Sequence, residues 1–349
     1  MAPLSAAQIV EHPEYQHVIW DLKPLKKGKV SVAKGRGGPI QIAYEIHGNG
    51  PTKIVPKKPR LFDSGFDHIS NGTGRINVIR RLGLRRTLTS TATGTLKSAW
   101  QRQTKDFGHG QNTNRDQSNK YSCLIFDNRG IGESEKPLAR YTTSEMAKDT
   151  LELIDDIGWT ASRQLHIVGV SMGGMIAQEL ALMVPNKIAS LSLVSTGPSI
   201  PKSIDAQLAD VKTRMFTEEW LNQADAEGHF PTNGDRFAAQ EVQKRQDING
   251  FTRKGFLCQI AAAAFHHKSA KQLEDLGDKV GRQRIMVVHG TADNMITPPH
   301  GEVLCKELGG EERGVTKVIV QGRGHGLPMD WRKEFTKLIG GFVEKTQKL

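Results

Sequence analysis

The chain is 349 residues long, with 37% hydrophobic residues and a formal net charge of +11. That length buries a full core, as one large α/β domain or as a domain with an insertion. No run of about 18 apolar residues occurs, so no membrane span is expected, and the first 20 residues lack the basic-then-apolar order of a secretory signal.

The three cysteines, Cys123, Cys258 and Cys305, are scattered, with neither metal nor redox spacing. They point to a reducing, cytoplasmic setting without disulfides, in which the Asn71-Gly72-Thr73 sequon stays unmodified. The positive charge invites a nucleic-acid reading, but it is concentrated. Between Pro56 and Gly94 stand Lys57, Lys58, Arg60, Arg75, Arg80, Arg81, Arg85 and Arg86 against Asp63 and Asp67. No recognition motif accompanies them, so no nucleic-acid partner is expected.

In chain order, Val30–Ala33 and Ile40–Ile46 read as an early hairpin. Tyr121–Phe126 reads as a buried strand entering the tight loop Asp127-Asn128-Arg129-Gly130. A helix follows, opened by a Thr142/Glu145 capping box, with Met146, Leu153, Ile154 and Ile157 on one face and Gly158 at its end. Leu165–Val170 is the next buried strand, followed by Ser171 and a helix that presents Ile176, Leu180, Met183 and Val184. Ile188–Val194, Ile285–Val288 and Val315–Val320 complete the strands, and Trp331–Val343 reads as a closing helix that Gly340-Gly341 weakens. Strands alternating with helices predict an α/β fold with a mostly parallel sheet. Between Pro198 and Arg282 the strand pattern stops; Ile204, Leu208, Val211 and Met215 keep helical spacing, and Phe256–His266 is an alanine-rich helix. Residues 199–282 are therefore read as a helical lid, between core segments 1–198 and 283–349.

Gly169-Val170-Ser171-Met172-Gly173 has the form G-x-S-x-G, between an apolar strand and an amphipathic helix. A serine on such a sharp turn is pushed out of the sheet, the flanking glycines avoid a clash, and the helix N-terminus favours a developing oxyanion. The hydroxyl needs a base, and the base an orienting acid, both later in the chain. Asp293 follows the strand Ile285–Val288, and His325 lies between glycines after the last strand. Asp205 is the rival acid. The Met172 N–H is one expected oxyanion donor. His289 is expected to pack at its strand end, and His266-His267 to line the lid or pocket. No HExxH, P-loop or dinucleotide fingerprint occurs, so no metal and no cofactor are expected.

Together, Gly169–Gly174, the loop Asp127–Ser134, the acid loop at Asp293 and the histidine loop at His325 resemble the α/β-hydrolase superfamily. The likeness covers residues 29–55 and 95–345. It is nearest to the lidded branch of esterases, lactonases, C–C hydrolases and proline iminopeptidases, fungal members among them. It implies an eight-stranded, mostly parallel sheet with helices on both faces, and hydrolysis through an acyl-serine.

The pattern breaks at Lys53-Ile54-Val55, where the third strand should begin and Pro56-Lys57-Lys58-Pro59 stops it. Residues 56–94 stand where that strand and the oxyanion loop belong. They read as a retained intron, as an insertion in which Thr87–Thr93 rebuilds the strand, or as the mark of an inactive relative that binds a ligand or protein. In the second reading an N–H near Thr93 is the other oxyanion donor. The expected activity is cleavage of a carboxylic ester, lactone or thioester of a small apolar molecule by Ser171, His325 and Asp293. Trp220, Phe256 and Phe265 are expected to shape its pocket.

Overall fold

The computed structural model describes residues 3–50, 52–55, 85–90, 96–109, 120–199, 211–247, 249–250 and 252–349. Its strands are β1 (Lys26–Val32), β2 (Ile40–His47), β3 (Thr52–Val55), β4 (Arg85–Ser90), β5 (Cys123–Phe126), β6 (Leu165–Val170), β7 (Ile188–Val194), β8 (Ile285–Gly290) and β9 (Thr316–Val320). They form one sheet in the order β1-β2-β5-β4-β3-β6-β7-β8-β9. The β1–β2 and β2–β5 pairings are antiparallel and the others parallel.

Side-chain alternation explains why this sheet is covered on both faces. Leu124 and Phe126 of β5, Leu165 and Ile167 of β6, and Ile285 and Val287 of β8 share one buried cluster. Their neighbours Cys123 and Ile125, Val168 and Val170, and Met286 and Val288 belong to another. Successive strand residues point to opposite faces, so a strand buried on both reads as a continuous apolar run.

Of the helices, α1 (Ala6–Glu11) precedes the sheet, and α2 (Gln101–Gly108) leads into β5. Then come α3 (Thr143–Asp156) and α4 (Met172–Met183), followed by α5 (Val211–Met215), α6 (Glu218–Asn222), α7 (Asn233–Gln246), α8 (Arg253–Ala264) and α9 (Ala270–Val280). The last are α10 (Pro298–Glu307), α11 (Leu327–Asp330) and α12 (Arg332–Thr346). The first face is covered by α3, α4, α9 and α10, and the second by α2 and α12. Gly340-Gly341 does not stop α12, because Phe335, Ile339, Phe342 and Val343 recur at helical spacing and are all buried. Between β7 and β8 the described residues hold helices α5–α9 and no strand. Within that span α9 joins the main core through Leu273, Leu276 and Val280. No helix among the described residues is long and apolar enough to cross a membrane.

The expected eight strands become nine because two segments enter one slot. Thr52 and Lys53 of β3 register with Arg85 and Arg86 of β4. Ile54 and Val55 then meet His166 and Ile167 of β6, the same residues met by Thr87 and Leu88 of β4. Pro56 follows β3 and has no N–H to continue a ladder. β4 takes up the pairing to Gly169 and also borders β5. The rebuilt strand thus begins at Arg85, two residues before the expected Thr87. Residues 91–93 lie outside the described residues, as do Asp205, Ile204 and Leu208.

Candidate active site

Ser171 stands between β6 and α4 with φ 56° and ψ −125°, a region that costs a non-glycine residue on the order of 1–3 kcal/mol. The surroundings hold it there. Its N–H donates to the Val194 carbonyl at 3.0 Å, while its own carbonyl accepts from Gly174 N–H at 2.9 Å and Thr196 Oγ1 at 2.9 Å. A Cβ at Gly169 would stand 2.5 Å from the Gly173 carbonyl oxygen, and one at Gly174 2.6 Å from Thr196 Cγ2. Both glycines are therefore required by close approach. Met172 opens α4, where first-turn N–H groups have no intrahelical acceptor.

Asp293 follows β8 and His325 follows β9, both parallel to β6, so all three residues emerge at one edge of the sheet. The two later loops are tied together. Thr291 N–H donates to the Val320 carbonyl at 3.0 Å and Ala292 N–H to the Arg323 carbonyl at 2.9 Å. His325 Nδ1 lies 2.8 Å from Asp293 Oδ2, and both side chains are buried. Asp293 Oδ1 accepts from the Met295 and Ile296 amides, each at 2.9 Å. Burial alone would raise the Asp293 carboxyl. The adjacent His325 and hydrogen bonds from His289 and His325 instead hold it well below the usual carboxylate range. His325 Nε2 is buried and has no hydrogen-bond partner among the described residues. With Nδ1 engaged by the carboxylate, Nε2 is the nitrogen left to take a proton.

Three supports of the histidine loop went unread in the sequence. Asp330 is buried and accepts from Gly324 N–H at 3.0 Å. Burial pushes its carboxyl up to about 6, against the Gly324 amide and Arg323. The Met215 carbonyl accepts from Gly326 N–H at 3.1 Å, and Phe216 packs so closely on Gly326 that a Cβ there would collide with the ring. Neither Leu327–Asp330 nor Met215-Phe216 carries a motif; only the fold brings them to His325. His289 also turns out to be more than strand-end packing, since its Nε2 lies 3.2 Å from Asp293 Oδ2.

The expected pocket residues are placed unequally. Trp220 is buried in a cluster with Phe216 and Phe237, the Phe216–Trp220 centroids 4.5 Å apart, against the histidine loop. Phe256 is half-buried on α8, next to Gly255, which packs on the Gly130 carbonyl. Phe265 is 69% exposed and forms no part of an enclosed wall. It follows the last residue of α8, and its neighbour His266 takes the inward place, Nδ1 lying 2.9 Å from Thr143 Oγ1. Burial, with Lys268 nearby, pushes the His266 ring down to about 3. The exposed His267 faces outward.

The loop after β5 fixes the far side. Arg129 is fully buried and pairs with both Asp149 oxygens at 2.6 Å. Asp127 accepts from the Lys97 N–H at 2.8 Å and the Glu133 N–H at 3.0 Å, which anchors the chain just beyond residues 91–95. The Thr93 donor lies outside the described residues.

Residues 110–330 match the family described as alpha/beta hydrolase fold. The chain belongs to that family. It is 25% identical over 225 residues to 3-oxoadipate enol-lactonase 2 of Acinetobacter baylyi, a match covering 63% of this chain and 75% of that protein. It is 43% identical to the putative non-heme bromoperoxidase BpoC of Mycobacterium tuberculosis, over 76 residues that make up only 28% of that protein. Its fold resembles an esterase from Thermogutta terrifontis, with a TM-score of 0.63 and 17% identity over 92% of this chain and 99% of that one. It also resembles the enol-lactonase of Burkholderia xenovorans, with a TM-score of 0.60 and 19% identity over 91% of this chain and 100% of that one.

Proposed function

We propose that this family member is a serine hydrolase that cleaves a carboxylic ester, lactone or thioester of a small apolar molecule through an acyl-serine intermediate. One observation carries the reading. His325 is buried, bonded through Nδ1 to Asp293 and without a partner at Nε2 among the described residues, at the sheet edge where the strained Ser171 turn emerges. The names of similar proteins, 3-oxoadipate enol-lactonase and rhodomycin D methylesterase, fit cleavage of a carbonyl–oxygen bond.

In this mechanism Ser171 Oγ attacks the substrate carbonyl carbon and its proton passes to His325 Nε2. The Met172 N–H and a second donor near Thr93 hold the oxyanion. The tetrahedral intermediate collapses, the leaving oxygen or sulfur takes the proton from His325, and the acyl group stays on Ser171. Water, deprotonated by His325, then attacks the acyl carbon and releases the acid. Asp293 keeps the imidazole oriented and stabilises its protonated form. Trp220 and Phe256 shape the acyl site, and the setting is cytoplasmic. The test is labelling by a fluorophosphonate probe: the wild type reacts and Ser171→Ala does not. Equal labelling of the two contradicts the assignment.

A second reading, a catalytically impaired relative that binds a ligand or protein, is favoured by one feature, the shared slot of β3 and β4. Loss of one oxyanion donor costs about 10²–10³ in rate, so this reading expects slow turnover with intact probe labelling.

A further inference from the structure

His289 is completely buried near the end of β8. Its Nε2 lies 2.6 Å from the Ile296 carbonyl oxygen and 3.2 Å from Asp293 Oδ2. Both partners are acceptors, so the ring carries its proton on Nε2 and donates it. Nδ1 is buried and has no hydrogen-bond partner among the described residues. It faces Gly301 of α10, where an added Cβ would collide with it. The missing side chain at Gly301 is what leaves room for the ring beside the helix. Asp293 Oδ1 accepts from two amides and Oδ2 bonds the His325 ring, while the His289 N–H is hydrogen-bonded to the Ile296 carbonyl and its Nε2 stands 3.2 Å from Oδ2 as a second, longer contact.

We propose that His289 is a positioning residue for the Asp293–His325 pair. Its N–H, held by the Ile296 carbonyl, presents a positive edge to Oδ2, fixing the carboxylate rotamer and limiting how strongly Asp293 draws on the His325 proton. Other titratable groups on the surrounding elements are Arg323 and Asp330 of the histidine loop, and His300 on α10, whose Nδ1 lies 3.1 Å from Thr297 Oγ1. Lys317 on β9 is paired with Glu311 at 2.8 Å. The kinetic side of this inference rests on the hydrolase reading.

The experiment uses the full chain, three test variants and one variant for assignment. His289→Phe keeps a ring without the N–H. His289→Gln returns an N–H near the Nε2 position, and Gly301→Ala leaves His289 in place but pushes on it. The readouts are the rate of fluorophosphonate labelling against pH and the low-field proton resonance of the His325–Asp293 hydrogen bond, assigned with His325→Gln. The expected result is labelling about fivefold slower in His289→Phe, the factor one ordinary hydrogen bond is worth. The acid limb moves up by about half a pH unit, because an unshared carboxylate stabilises the protonated base more. The low-field resonance shifts, His289→Gln restores all three readouts, and Gly301→Ala moves them in the direction of His289→Phe. Should His289→Phe fail to fold, Gly301→Ala and His289→Gln carry the test alone. An unchanged pH profile and resonance in the variants overturns the proposal, as does slow labelling that glutamine does not rescue. Absence of labelling in the wild type strikes the hydrolase reading instead. The resonance needs no turnover and still decides on His289.

Discussion

At the scale of single residues, the groups most legible in the sequence were those whose chemistry forces a local pattern. Ser171 needs bare neighbours on a strand-to-helix turn, and a Cβ at Gly169 would meet the Gly173 backbone; Gly174, outside the pentapeptide, packs as closely on Thr196. Asp293 and His325 were legible from their places after the last two strands. Asp330 was not, because its role depends on the Gly324 amide folding back onto it. Its buried carboxyl gives a sign-definite expectation. The folded-state value is raised from an ordinary 3.8 to about 6. The native state therefore holds the proton more tightly than the unfolded chain, and the stabilisation is complete below about 4 and lost as pH rises through about 6. Asp330→Asn keeps an acceptor for Gly324 and removes that loss. Its melting temperature should exceed the wild type's at pH 8 and match it at pH 4; an equal gap at both would refute the role of ionisation.

At the scale of elements, β6 and β7 occupy the spans that their apolar runs indicated, and Gly158 ends α3 with φ 71°. The capping box at the start of α3 is only half formed. Thr142 Oγ1 accepts from the Glu145 N–H at 3.0 Å, but the Glu145 side chain turns to Arg36 and Lys148 instead of closing the box. A spacing rule sees Glu145 and cannot see a cation arriving from another part of the chain. The surviving half still satisfies one otherwise unpaired helix donor. Thr142→Ala should cost about 1 kcal/mol, read as a lower midpoint in urea at unchanged slope. No change in the midpoint would mean that Arg36 and the tertiary contacts hold the helix end without the cap.

At the scale of the whole molecule, the alternation of strands and helices was enough for the fold. The assembly of the N-terminal segment was not legible, because no local period marks it. Leu4 N–H donates to Asp235 at 2.8 Å, Tyr15 to Gln246 at 2.8 Å, and His12 stacks on Phe230, so residues before β1 are laced to α7. Trp20 stands among cations, with Lys105 at 4.5 Å, Arg332 at 5.3 Å, Arg236 at 5.7 Å and Arg102 at 6.0 Å from its ring. An indole face in contact with desolvated cations offsets part of their burial cost. Trp20→Ala should leave buried charge less compensated and loosen α7, read as faster amide exchange there than in α12. Equal α7 exchange in wild type and Trp20→Ala would show that the segment merely covers the surface. The shared slot of β3 and β4 also belongs to this scale, since local pattern located the break at Pro56 but only pairing shows which segment continues the sheet.

The central claim, an acyl-serine at position 171, is tested most directly by rapid mixing with an activated acetate ester followed by acid quench and peptide mass spectrometry. The expected result is a burst of released alcohol of at most one equivalent per chain and one added acetyl group on the peptide containing Ser171, both absent in Ser171→Ala. Turnover with no burst and no acyl adduct, or an adduct that persists in Ser171→Ala, would contradict it.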